Sequence, residues 1–134
     1  MNFGADGTIV EAGVVLNQPF FVFREFIEDA SSSTNKNVSN IWFNGETMNE
    51  KYSIDESLYM FEYNGKVGFV AKKEGKSSIY FNGKEMTNKF DEIRTEGCCS
   101  VVPYPIRISE DGELLALARN GKEYYFVEVD LKNE

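Results

Sequence analysis

The chain has 134 residues and a mass of 15.3 kDa, enough for one ordinary domain to bury most of its apolar surface without disulfide or metal staples. A net charge of −8 and a pI near 4.6 oppose nucleic-acid phosphate and anionic lipid, so neither nucleic acid nor a membrane surface is an expected partner. Histidine is absent, which removes Ser-His-Asp and Cys-His nucleophile systems together with the commonest metal ligand, and an aromatic content of 14% suits strands better than helices.

No run approaches the roughly 18 apolar residues of a membrane helix, and the start Met1-Asn2-Phe3-Gly4-Ala5-Asp6 lacks the basic, then apolar, pattern of a secretory signal. A cytoplasmic location is expected. Cys98 and Cys99 are adjacent, and neighbours in sequence rarely close a good disulfide, which fits a reducing compartment.

Residues 8–16 follow Asp6-Gly7 and read as a first strand with Gly13 as a bulge, after which Asn17-Gln18-Pro19 turns the chain. Residues 20–27 read as the next strand, since Phe20, Phe21, Phe23 and Phe26 imply burial on both faces; a short helix over 23–30 competes. Between 29 and 40 the composition turns to Ser, Thr, Asn and Lys, with Val38 the single aliphatic residue, so a polar loop is expected. Asn37-Val38-Ser39 matches a glycosylation acceptor, which without a secretory signal reads as chance.

From residue 41 the pattern becomes regular. Asn-Gly or Asp-Gly pairs stand at 6–7, 44–45, 64–65, 82–83, 111–112 and 120–121, and such pairs supply the positive φ that a type I′ hairpin turn needs. Ile41-Trp42-Phe43 leads into Asn44-Gly45 as Ile79-Tyr80-Phe81 leads into Asn82-Gly83, an internal repeat. The runs 58–63, 66–71 and 78–81 form a three-stranded antiparallel meander, closed by a short fourth strand after Asn82-Gly83. Ile106-Arg107-Ile108, then 113–118, then 123–129 repeat that grammar. The repeat is interrupted around residues 94–105, where Cys98, Cys99, Pro103, Tyr104 and Pro105 stand, and function is expected at such a break. The chain is expected to be a single all-β domain: an N-terminal hairpin over 1–28, the polar loop, and repeated meanders over 41–134.

Aligned in this way, residues 61–76, with Phe81-Asn82-Gly83-Lys84-Glu85 and Phe90-Asp91-Glu92-Ile93, resemble the WD40-like and TolB-type blades of β-propellers. Residues 108–118 carry the same hairpin, and 5–12 a degraded third copy. The resemblance covers roughly residues 41–129 and implies antiparallel, propeller-blade-like meanders. A propeller needs four or more blades of this length to close. Two clear units leave three outcomes: subunits that complete a ring by oligomerisation, repeats packed as a sandwich or barrel, or a fragment of a larger propeller.

Chemistry-bearing groups are few. Asp91-Glu92 and Glu110-Asp111 are carboxylate pairs of the type used in glycoside hydrolysis, but neighbours on a strand or turn point apart. Lys66, Lys72, Lys73, Lys76, Lys84 and Lys89 are interleaved with Glu62, Glu74 and Glu85, as on a solvated face. No metal, phosphate-binding loop or other cofactor is expected. The candidate partner- or ligand-binding residues are Trp42, whose indole lies on the face opposite Ile41 and Phe43, Cys98 and Cys99, Tyr104 between two prolines, and Arg107. The expected function is a non-catalytic interaction module that binds a protein or small ligand and self-associates, with a homodimer favoured to satisfy open strand edges. An Asp/Glu-dependent carbohydrate-active enzyme and a propeller fragment are the alternatives.

Overall fold

Hairpin chemistry sets the architecture. Asn44-Gly45, Asn64-Gly65, Glu74-Gly75 and Asn82-Gly83 all hold positive φ at both residues, so each reverses the chain in the twist sense of the strands it joins. In the computed structural model, which describes residues 8–29, 34–95 and 106–133, these turns organise the chain into antiparallel sheets that are not closed into a barrel.

The first sheet runs in the order β1 (Thr8–Val15), β2 (Gln18–Asp29), β3 (Thr34–Phe43), β4 (Glu46–Thr47). A single helical turn, α1 (Met48–Lys51), leads to a second sheet of β5 (Glu56–Tyr63), β6 (Lys66–Lys73), β7 (Lys76–Phe81) and β8 (Lys84–Glu85), again in chain order. The third sheet holds β9 (Glu92–Ile93), β10 (Ile106–Ile108), β11 (Glu113–Asn120) and β12 (Glu123–Asp130). Trp42-Phe43 and Tyr80-Phe81 are structurally equivalent, each pairing with the two-residue strand that follows its Asn-Gly turn. The repeat read from the sequence is therefore a repeat of meanders.

The second sheet is the middle layer. Alternation along β6 sends Phe69 and Ala71 to one side, against Val15, Phe20, Val22, Ile41, Phe43 and Met48 of the first sheet and its helical turn. Val70, with Ile79 and Phe81 of β7, faces the other side, against Ile93, Ile106, Leu114, Ala116, Ala118 and Val129 of the third sheet. A strand buried on both faces has no polar side to show, which explains the near-continuous apolar run 67–71. Tyr59, Phe61 and Tyr63 share the side facing the third sheet, as alternation predicts. A bulge between Leu58 and Phe61 holds Tyr59 at φ 57°, and its hydroxyl donates to Ile106 O (3.4 Å). Burial is the main cause that raises the Tyr59 pKa, with the Glu11 charge adding to it.

Several sequence expectations need correction. The strand expected over 20–27 forms and is longer, as β2 pairs with β3 out to Asp29 and Thr34, so the competing helix over 23–30 does not form. Residues 34–40, expected as polar loop, are strand for the same reason: ladder hydrogen bonds come from the backbone, and a long neighbour offers partners whatever the side chains. The bulge in β1 lies between Ile9 and Glu11 rather than at Gly13. Gly13 stays in register opposite Phe20, whose ring lies over it, 2.6 Å from where a Cβ would stand. The turn before β2 is Leu16-Asn17, both at positive φ, not Asn17-Gln18-Pro19, and the Leu16 N–H donates to Glu62 Oε2 of β5 (2.7 Å). Asn120 ends its strand, so Gly121-Lys122 forms the loop, with glycine at the first position as a type II′ turn requires. At Asp111-Gly112 only the glycine has positive φ, and its N–H closes on Ser109 O (3.0 Å).

The interruption splits a strand. β9 and β10 pair with the same edge of β11, with Ile93 opposite Ala118 and Ile106 opposite Ala116. Arg94 N–H still donates to Leu117 O (2.9 Å), so Ile106 occupies the place Thr95 would take had the strand run on. The chain thus leaves one ladder after Arg94 and re-enters it at Ile106. Among the described residues no helix is long and apolar enough to cross a membrane.

Candidate functional site

Of the five candidate residues, Cys98, Cys99 and Tyr104 lie outside the described residues. Trp42 and Arg107 are described and are not brought together. Trp42 stands on the face of the first sheet turned away from the second, and Arg107, exposed and opposite Leu115, on the face of the third sheet turned away from the second.

Trp42 is placed by β3, where strand pairing sets it opposite Phe21 of β2 and Thr47 of β4. The Trp42 and Phe21 rings lie 5.6 Å apart at 43°, a tilted contact, and the indole is half-buried. Beside it, Gln18 and Pro19 enter from the start of β2, and Asn44 and Gly45 from the hairpin turn. Together they line an open depression of about 420 Å³. Its described lining has an aromatic face, a proline ring and two carboxamides, but no charged side chain. Such a surface suits an uncharged partner with a flat apolar face next to hydrogen-bonding groups. Gln18, Pro19 and Asn44 were not among the candidate residues; only Asn44 had a signal near Trp42, in the Asn44-Gly45 turn that follows Phe43, whereas Gln18 and Pro19 come from β2.

A second recess lies between the second and third sheets, where the chain leaves its strand. Leu58, Val70 and Ile93 form its apolar wall, with Lys72, Glu92 and Arg94 at the rim, around about 240 Å³. Those charges are already engaged: Lys72 pairs with Glu56 (3.7 Å), and Glu92 with both Arg94 (3.5 Å) and Arg119 (3.2 Å). The Asp91 and Glu92 carboxylates take different partners. The Asp91 carboxylate accepts from Lys76 Nζ and from Gly121 N–H (2.7 Å), while its own N–H donates to Asn120 Oδ1 (2.9 Å). The Lys76 hydrogen bond first, then that from Gly121, hold its pKa below the ordinary 3.8. Asp91 thus ties the β6–β7 turn to the β11–β12 turn. Glu110 and Asp111 stand exposed in a turn.

The outer face of the third sheet was also missed. Tyr124 and Phe126 alternate with Tyr125 and Val127 and share their face with Leu115 and Leu117, leaving Phe126 77%, Tyr124 58% and Leu115 37% exposed. On the outer face of the first sheet Val14 is 66% exposed. Among the described residues no group of three or more Cys, Asp or Glu is placed to hold a metal ion. Compared with protein-family models, curated proteins and solved structures, the chain matches none.

Proposed function

We propose that the protein is a non-catalytic binding module whose recognition surface is the depression around Trp42. The observation that carries this reading is the uncharged lining of that depression, where the Trp42 indole shares the wall with Pro19, Gln18 and Asn44. Trp42 is the sole tryptophan of the chain, so tryptophan emission excited on the long-wavelength side of the tyrosine band reports on this surface. Titration with neutral oligosaccharides and uncharged proline-containing peptides is expected to give a saturable emission change with at least one of them. Asn44→Gly, which keeps the positive φ of the turn but removes the carboxamide, is expected to weaken that binding about tenfold, the equivalent of one hydrogen bond of ~1 kcal/mol or slightly more. An emission spectrum unmoved by every probe at millimolar concentration overturns the reading.

The face-to-face stack of meanders supports a second reading, a run of propeller-type blades whose outer apolar faces pack against further blades. Isolated, such a run is expected to melt broadly and aggregate. A sharp, reversible two-state melt removes that reading.

A further inference from the structure

In each sheet one strand edge is left over at the end of the meander, and the molecule treats the first two alike. The edge of β3 is covered by β4, by Ser57 Oγ accepting from Ile41 N–H (2.8 Å) and by Glu56 Oε1 accepting from Ser39 N–H (3.1 Å). That of β7 is covered by β8, by Met86 N–H donating to Ile79 O (2.7 Å) and by a reciprocal pair between Ser77 and Phe90. The first strands are broken instead: β1 and β5 by bulges, and β9 and β10 by the excursion after Arg94. Bulges and interruptions blunt an edge. The outer edge of β12 has neither protection among the described residues, and it runs eight residues in unbroken register with β11.

Which groups it presents follows from the ladder. The two-residue loop after Asn120 makes Asn120 and Glu123 a hydrogen-bonded pair, and Leu117 O is engaged by Arg94 on the far side of β11. Tyr124, Phe126, Glu128 and Asp130 therefore direct their backbone N–H and C=O groups outward. Phe126, on this open edge, is the most exposed large apolar residue described.

We propose that the occupant of this edge is a second copy of the chain, paired antiparallel through β12 about a two-fold axis at Phe126. Charge selects this register. Placing Phe126 opposite Phe126 of the second copy sets Tyr124 opposite Glu128 and brings Lys122, in the loop just before β12, beside Asp130 at the strand's far end. Centring on Val127 brings together Lys122 and Lys132, which flank β12, centring on Glu128 opposes that residue to itself, and centring on Tyr125 shortens the ladder by about two residues. A two-fold contact also uses up both open edges, so assembly stops at the dimer. The proposal stands independently of the Trp42 reading.

The test is light scattering with size exclusion on the whole chain, over a range of concentrations. The expected mass is twice 15.3 kDa. Phe126→Lys, at a position too exposed to matter for the fold, brings two ammonium groups together on the axis and is expected to weaken dimerisation at least tenfold. Lys122→Glu is expected to weaken it too, and the exchange Lys122→Glu with Asp130→Lys to restore it. Amide exchange at Tyr124, Phe126 and Glu128 is expected to slow as concentration rises. A monomer at several hundred micromolar overturns the proposal, as does a dimer indifferent to Phe126→Lys. Concentration-independent protection of those amides also overturns it, because the chain's own residues then cover the edge.

Discussion

Gly68→Ala is expected to lower the melting temperature by about 10 °C, a loss of roughly 3 kcal/mol for a domain of this size. Gly68 sits in β6 with Phe61 opposite it on β5 and Phe81 opposite it on β7. The two rings close over the glycine, stacked at 6.1 Å between centroids and 4° between planes. A Cβ at this position would stand 2.3 Å from the Phe61 ring and 2.6 Å from Tyr80 O. The ring could swing away only by giving up its stack, worth about 0.5–1.5 kcal/mol, and by straining a closely packed core, at about 1–3 kcal/mol. The carbonyl belongs to the neighbouring strand and cannot yield without disturbing the β6–β7 ladder. Gly68 has ordinary strand φ, so alanine gains about 0.4–1 kcal/mol from the unfolded chain, too little to reverse the sign. Thermal melts followed by far-UV circular dichroism decide it, and a change under about 2 °C would show that the rings do not need the glycine.

Phe81→Ala is the substitution with the largest expected cost, about 3–5 kcal/mol. Phe81 is wholly buried where the second sheet meets the third, among Ile79, Ile93, Leu114 and Val129. Truncation removes the ring's apolar burial and leaves a cavity between two sheets that cannot collapse easily, because each is held by its own ladder. Phe81 also ends β7 at the Asn82-Gly83 turn, so the lost ring loosens the anchor of β8. Urea unfolding is expected to show a midpoint far below that of the parent with an unchanged slope. A loss below about 1.5 kcal/mol would mean that the two sheets are not packed as described.

Much of the fold was legible because turn chemistry is local. Asn44-Gly45, Asn64-Gly65 and Asn82-Gly83 adopt positive φ as their side chains allow, and with the alternation between them they define the meanders and the equivalence of Ile41-Trp42-Phe43 with Ile79-Tyr80-Phe81. Leu16-Asn17 was missed because nothing local favours leucine at positive φ; that turn is supported from outside, by the Glu62 carboxylate on the Leu16 N–H. Residues 34–40 were missed because their side chains are polar, whereas their strand state comes from pairing with β2.

Of the candidate site, Trp42 and its face could be read from alternation, but not the Gln18 and Pro19 that meet it, since they come from another strand. Nothing local marks Phe126, since an aromatic in an alternating strand is more often core; its exposure depends on which side of β11 and β12 receives the second sheet.

Residue by residue, then, the chain specifies where it turns, which residues share a strand face and that its elements are β, because φ preferences and side-chain alternation act over two to four residues. Tertiary structure alone decided that the middle sheet is buried on both faces, that β9 and β10 are two halves of one strand and that no described residue pairs with the outer edge of β12. Those outcomes rest on backbone partners and apolar faces far apart in sequence, where no local preference of either residue carries the information.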